Sequence, residues 1–141
     1  MNHDDQCIFC KIIKGDIPSY KVYEDENVVA FLDISQVTKG HTLVIPKSHH
    51  KDVFALPSET AGKLFSAVPH IATAIKEAFD PIGLNVLNNN GEAAGQSVFH
   101  YHVHIIPRYG KGDGFGAVWE THDYTREQFE EISSSIAARL S

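Results

Sequence analysis

From Phe99 to Ile105 the chain reads Phe-His-Tyr-His-Val-His-Ile, a strict alternation of imidazoles with aromatic or aliphatic side chains. A period of two does not suit an amphipathic helix. It suits a strand, where successive side chains point to opposite faces. A strand over 98–106 would put His100, His102 and His104 on one face and Phe99, Tyr101, Val103 and Ile105 on the other. The second set suits a face covered by helix. The first lines up imidazoles about 6.5 to 7 Å apart, from the strand rise. For stability alone this is a poor choice, because each ring needs a hydrogen-bond partner and protonated rings repel. Nine histidines occur in the chain, and histidine is both the side chain titrating nearest neutrality and a common metal ligand. The pattern points to chemistry rather than scaffolding.

The rest of the chain bounds that chemistry. Its 141 residues match one domain. Twelve Lys and Arg against eighteen Asp and Glu leave a net charge of −6, the wrong sign for coating a polynucleotide. The start, Met-Asn-His-Asp-Asp-Gln-Cys, is acidic where a secretion signal is basic. The apolar runs, such as 28–32, fall far short of the roughly 18 to 20 residues of a membrane span. Two cysteines, Cys7 and Cys10, make no disulfide framework. The expectation is a cytoplasmic protein with neither membrane nor polynucleotide partner.

Strands are expected at 20–24, 28–33, 41–45, 82–87 and 98–106, with Pro46 stopping the third. Between 58 and 79, Ala61, Leu64, Phe65, Val68, Ile71, Ile75 and Phe79 recur at the helical period. Ser58 can cap that helix, and Pro69 should kink or split it. Thr125 and Gln128 form a capping box for a last helix with Phe129, Ile132, Ile136 and Leu140 on one face. The order predicts an α+β fold: about five antiparallel strands with a long helix on one face and a C-terminal helix.

Before the histidine strand, Asn88–Ser97 is polar and turn-rich. Its glycines let backbone N–H groups approach an anion, and Ser97 adds a hydroxyl. Cys7-Ile8-Phe9-Cys10 fits half a zinc site, a redox pair or chance spacing, and the missing βαβ pattern weakens the redox reading. His-x-His-x-His could itself be a metal centre, but no carboxylate lies close in the motif to complete a mixed set. His3, His70 and His122 read as surface residues.

His100-Tyr101-His102-Val103-His104-Ile105-Ile106 resembles the motif of the histidine triad (HIT) nucleotide hydrolases and transferases. So do Asn89 followed by Gly95-Gln96-Ser97-Val98, Phe31-Leu32-Asp33-Ile34, and Gly40-His41-Thr42-Leu43-Val44-Ile45-Pro46. The resemblance covers about residues 7–108, leaving 109–141 as an extension of a single HIT domain spanning 1–141.

The resemblance implies that His102 attacks the α-phosphorus of a nucleotide. Water then hydrolyses the nucleotidyl-histidine. The His100 carbonyl would hold the other ring nitrogen of His102, and His104 would bond the phosphoryl oxygens. His41 is similar to the family's fourth active-site histidine. Ser97, with backbone N–H groups of Gln96 to Val98 near Gly95, would stabilise charge and assist the leaving group. Asn89 would position phosphate, Asp33 would bind ribose, and Phe31 and Ile34 would lie near the nucleoside. No catalytic metal is required. A structural zinc on Cys7, Cys10, His49 and His100 is implied, with His50 the alternative to His49. The implied activity is an adenosine phosphoramidase or phosphohydrolase acting on purine nucleotides as a homodimer. Alternatives are a dinucleoside polyphosphate hydrolase, towards which Ile106-Pro107-Arg108 leans, and a zinc-containing nucleotide adaptor with vestigial catalysis.

Overall fold

Asp25 turns the chain by accepting hydrogen bonds on Oδ1 from the N–H groups of Asn27 (2.7 Å) and Val28 (2.8 Å). That turn joins β1 (Lys21–Glu24) to β2 (Val28–Leu32) in an antiparallel hairpin. The computed structural model describes residues 2–116 and 119–140. Met1, Ala117, Val118 and Ser141, which belong to the expected 1–141 span, lie outside the described residues. With β3 (Thr42–Pro46), β4 (Gly83–Leu87) and β5 (Val103–Arg108) the hairpin forms one antiparallel sheet in the order β1-β2-β3-β5-β4. Among the described residues, no helix is long and apolar enough to cross a membrane.

The two faces of the sheet are covered differently. On one lies α2 (Ser58–Phe79), whose Leu64, Ala67, Val68, Ile71 and Ile75 pack on Val28, Ala30, Val44, Tyr101, Val103 and Ile105. On the other, the short α1 (Ile8–Lys14) sets Phe9 and Ile12 against Val29, Phe31, Leu43 and Ile45. α1 covers only part of that face, and the rest is open for the histidines. Ile105 is fully buried at the centre of the α2 side. Ile105→Ala is expected to lower the unfolding free energy by about 2 to 5 kcal/mol, read by urea denaturation. A change below half a kilocalorie would contradict this packing.

The α+β architecture, the five strands and both long helices are as the sequence predicts. Several details differ. α2 is continuous through Pro69. Proline removes one N–H there, but it lies on the exposed side, where water can reach the carbonyl it leaves unpaired. Ser58 is the first helical residue rather than the cap, and Pro57, which makes no side-chain bond, precedes it. Phe65 and Phe79 are partly exposed, while Ala67 is buried in the helix–sheet contact.

The histidine strand begins later than alternation suggests. β5 starts at Val103, and residues 98–102 run outside the ladder. The Pro46 carbonyl is taken by the ring N–H of His100 (2.8 Å), and the Tyr101 N–H goes to the His50 carbonyl (2.6 Å). These bonds replace strand pairing beyond Val44↔Val103. Phe99 accordingly leaves the core face and is 40% exposed, with Lys51 Nζ 5.7 Å from its ring centroid. α1 was not expected at all. It is capped by the Cys7 sulfur at its start and by Gly15, at φ +87°, at its end. α3 (Arg126–Ala137) carries the predicted Thr125–Gln128 capping box, and its apolar residues Phe129, Ile132 and Ile136 are exposed.

Candidate active site and metal centre

Backbone partners set the ring tautomers one by one. His102 Nδ1 lies 2.7 Å from the carbonyl oxygen of His100, which can only accept, so Nδ1 carries the proton. Nε2 is left with a free lone pair. The Asn88 amide donates to the His102 carbonyl (2.9 Å), tying this segment to the end of β4. Phe9 of α1 meets the His102 ring edge-on, with centroids 5.2 Å apart and planes at 87°. Neither Phe9 nor Asn88 was singled out from sequence; only the place of Phe9 inside Cys-Ile-Phe-Cys could have flagged it.

A second chain of bonds reaches His104. The Val37 N–H donates to His41 Nδ1 (3.2 Å), which makes that nitrogen the acceptor of the ring. His41 Nε2 then carries the proton and faces His104 Nδ1 at 2.9 Å, with Asp33 Oδ2 3.6 Å away. His104 must therefore accept on Nδ1 and keep its proton on Nε2. The rings of His102 and His104 are 5.0 Å apart. A nucleophilic nitrogen thus stands beside a ring with a proton to donate.

Burial keeps these rings neutral. Desolvation, the largest influence, lowers the pKa of His41, opposed by Asp33, and of His102, opposed by the bond to the His100 carbonyl and then by Asp33. Burial, aided by His102 and His41, pushes His104 down to about 4. A proton-free His102 should persist below the usual histidine pKa. Any turnover is therefore expected to keep a level kcat/KM from pH 8 to 6.5 and to decline only below that. An acid limb at or above 6.5 would contradict the burial argument. In the unfolded chain His104 regains its ordinary pKa of about 6.5. Between there and about 4 the unfolded state binds more protons than the native one. Unfolding free energy should thus fall as pH drops through that window.

The residues expected near phosphate lie along one loop. Gly91 and Gly95 bracket a 3₁₀ turn, Glu92–Ala94, and Gly95 adopts φ +101°. A Cβ at Gly95 would meet the Asn89 amide nitrogen at 3.3 Å, so Asn89 and Gly95 sit in contact. The Gln96 side chain is structural. Its Oε1 accepts from Gly91 N–H (2.8 Å), and Nε2 donates to the Lys51 (2.8 Å) and Val98 (3.2 Å) carbonyls. Its backbone N–H in turn goes to the Gly91 carbonyl (3.1 Å), so Gln96 offers a ligand no free N–H. Ser97 is exposed and Val98 half-buried, in a cleft they share with Cys7 and His49. Phe31 is buried against Phe9, whereas Ile34 is 86% exposed.

Cys7, Cys10, His49 and His100 bring one donor atom each within 4.8 Å of one another. His100 Nδ1 lies 3.5 Å from Cys7 Sγ, 3.6 Å from Cys10 Sγ and 3.2 Å from His49 Nδ1. Cys10 Sγ is 3.4 Å from His49 Nδ1. Bond lengths of about 2.0 and 2.3 Å at a tetrahedral ion imply about 3.3 Å between nitrogens and about 3.5 Å between nitrogen and sulfur. The four residues therefore fit a closed metal site. The His100 Nε2–H bond to Pro46 turns Nδ1 toward the cysteines. Burial lowers the His100 pKa to about 4, which keeps the ring a neutral ligand. His49, not His50, joins the cluster.

The HIT domain profile matches residues 14–111. The chain belongs to the HIT domain family. The solved structure of a HIT family member from Bacillus subtilis is 71% identical and superposes with a TM-score of 0.95, covering 97% of this chain and 99% of that one. The adenosine 5'-monophosphoramidase hnt1 of Schizosaccharomyces pombe is 40% identical over 134 residues, 95% of this chain and 98% of that protein. A Zn-bound histidine triad family protein from Mycobacterium smegmatis is 40% identical with a TM-score of 0.71, covering 95% and 94% of the two chains. As a HIT family member, the chain shares its fold with relatives that are nucleotide hydrolases by name.

Proposed function

We propose that this HIT protein is an adenosine phosphoramidase or related purine-nucleotide phosphohydrolase acting through a nucleotidyl-His102 intermediate. The observation that carries the reading is the His102 Nδ1–H bond to the His100 carbonyl, which leaves Nε2 free. Nε2 attacks the α-phosphorus, the bond to the leaving amine breaks, and the amine departs with a proton. Water then attacks the same phosphorus, the P–N bond to His102 breaks, and the nucleoside monophosphate leaves. His104 Nε2–H would donate to a phosphoryl oxygen, and the backbone N–H groups of Ser97 and Val98 would stabilise the charge that develops there. Ser97 and His41 would assist departure and proton placement. Asn89 and Gly95 would seat the phosphate, Asp33 the ribose hydroxyls, and Phe31 and Ile34 the nucleoside.

In this reading Cys7, Cys10, His49 and His100 hold a structural zinc. A bound zinc would tie α1 to His100, the residue whose carbonyl orients His102. The reading also takes the protein to be a cytoplasmic homodimer with a nucleotide substrate. Arg108, the charged member of the Ile106-Pro107-Arg108 run that leans toward a dinucleoside polyphosphate hydrolase, is engaged by Asp113, Asn85 and the Phe115 carbonyl. It is not a free cation for a polyphosphate, which favours the phosphoramidate. Turnover of adenosine 5'-phosphoramidate and of a diadenosine polyphosphate, compared side by side, tests the choice. A larger kcat/KM on the phosphoramidate is expected. The reverse order would overturn it.

A further inference from the structure

The loop that follows β5 is bound to the active-site histidines by a path that starts at Arg108. The guanidinium makes a two-pronged contact with Asp113: Nε is 3.0 Å from Oδ2 and Nη2 is 2.9 Å from Oδ1. The same side chain reaches Asn85 on β4 (3.0 Å) and the Phe115 carbonyl (2.7 Å). Asp113 Oδ2 also accepts the Tyr109 N–H (2.9 Å), and the Asp113 side chain is only 9% exposed. The Arg108 guanidinium beside it holds the Asp113 carboxyl well below the usual carboxylate range. These bonds close 108–115 into a tight, charge-locked loop.

That loop grips the 37–40 segment at two points. The Tyr109 hydroxyl donates to the Lys39 carbonyl (2.6 Å). Gly114, at φ +109°, packs on the Val37 peptide so closely that a Cβ there would lie 2.5 Å from the Val37 carbonyl oxygen. Val37 is the residue whose N–H donates to His41 Nδ1. Its own position is otherwise held by neighbours: the Thr38 hydroxyl donates to the Pro107 carbonyl (2.6 Å), and Gln36 Oε1 accepts the Gly40 N–H (2.9 Å).

We propose that the loop 109–116 is a positioning element of the active site. By holding Val37 in place it decides which nitrogen of His41, and in turn of His104, carries the proton. Without the Val37 donor, His41 Nδ1 has no partner that forbids protonation there. Asp33 Oδ2, 3.6 Å from Nε2 and beyond hydrogen-bond distance, then alone favours the Nε2 proton, and the tautomer protonated on Nδ1 becomes accessible. The one protonated on Nδ1 presents a lone pair to His104 instead of a proton. His104 Nδ1 would then have to donate, and its outward nitrogen would lose the proton that faces the substrate. Asp113, Tyr109 and Gly114 are thus positioning residues that act through Val37 and touch no reacting atom. The kinetic consequence rests on the proposed role of His104; the proton placement itself does not.

The test is ring-nitrogen NMR of ¹⁵N-histidine-labelled protein at pH 7.5, combined with steady-state kinetics on adenosine 5'-phosphoramidate. In the unaltered chain His41 and His104 should be protonated on Nε2 and His102 on Nδ1. In Asp113→Ala and Gly114→Ala, His41 and His104 should show mixed tautomers while His102 keeps its own. The kcat should fall by about tenfold with KM nearly unchanged, the scale expected of an outer partner that orients a reactive ring. Asp113→Asn, which can still accept from Tyr109, should recover most of the loss. Tyr109→Phe deletes a single hydroxyl, should fold normally, and should shift the same His41 signal less. Unaltered His41 and His104 tautomers in Tyr109→Phe and in whichever alanine variants fold would overturn the proposal, whether or not kcat falls. Correct tautomers in a chain that turns over no phosphoramidate would overturn the proposed function instead and leave this inference standing.

Discussion

Replacing His102 with alanine is expected to reduce turnover by about 10⁴-fold or more, the scale seen when a covalent nucleophile is removed. That loss corresponds to about 5 kcal/mol or more of transition-state stabilisation. Nucleotide affinity should change far less. The other proposed contacts, from Asn89 and Gly95 to Asp33, lie on segments that do not depend on the His102 ring. Removing the ring also strips the His100 carbonyl of its donor and leaves a gap beside Phe9. A melting curve is therefore needed beside the kinetics, with a stability loss of about 1 to 3 kcal/mol anticipated. Isothermal titration with a non-hydrolysable nucleotide and single-turnover hydrolysis read the two effects separately. Hydrolysis within tenfold of the unaltered chain would remove His102 from the mechanism. It would revive the adaptor alternative only if the residual rate proved to be contaminating activity.

Metal loss is expected to have the largest effect on stability. The purified protein should carry about one zinc per chain, and Cys10→Ser should carry much less. Cys10 and His100 are fully buried, and the cluster joins α1, the segment after β3 and the start of the triad. A ligand present at about a thousand times its Kd stabilises the native state by about 4 kcal/mol, about 10 °C or more in Tm for a domain of this size. A strong chelator, or Cys10→Ser, should remove that increment. In the metal-free chain, burial raises the Cys10 thiol pKa, so the thiol would stay protonated and weakly paired. Metal analysis showing no zinc, together with a Tm indifferent to added zinc and to chelator, would sink the four-ligand assignment.

The parts of the fold legible in the sequence were those written in short periods. The 3.6-residue repeat of Leu64, Val68, Ile71 and Ile75 marked α2, and the Thr125–Gln128 box marked the start of α3. The Asp25–Asn27 turn marked the first hairpin. α1 escaped because seven residues offer barely two turns of periodicity, and its cap is a cysteine sulfur rather than a hydroxyl or carboxylate. The unpaired run 98–102 escaped because alternation records which way side chains point. It does not record whether the backbone groups find a neighbouring strand.

The candidate site divides in the same way. The resemblance named His49 as the zinc ligand over His50, and the geometry places His49 Nδ1 beside Cys10. Gln96 was expected near phosphate, yet its side chain closes its own loop. The roles of Phe9 and Asn88 were invisible because each gains meaning only beside a histidine from another segment, and that of Val37 because only the folded 33–41 loop turns its N–H onto His41.

By itself the sequence determined the alternating face of histidines, the helix that covers the other face, and the membership that the motifs around His41 and His102 announce. The tertiary structure alone decided where each imidazole keeps its proton. His102 is set by the His100 carbonyl, His100 by Pro46, and His41 by Val37. One of these three bonds, from His100 to Pro46, joins a ring to a backbone atom of another element; the other two depend on how the fold shapes the 33–41 loop and the 98–102 run. Side-chain direction follows from a local period of two. A tautomer follows from which donor or acceptor the folded chain brings within about 3 Å, and no local pattern encodes that.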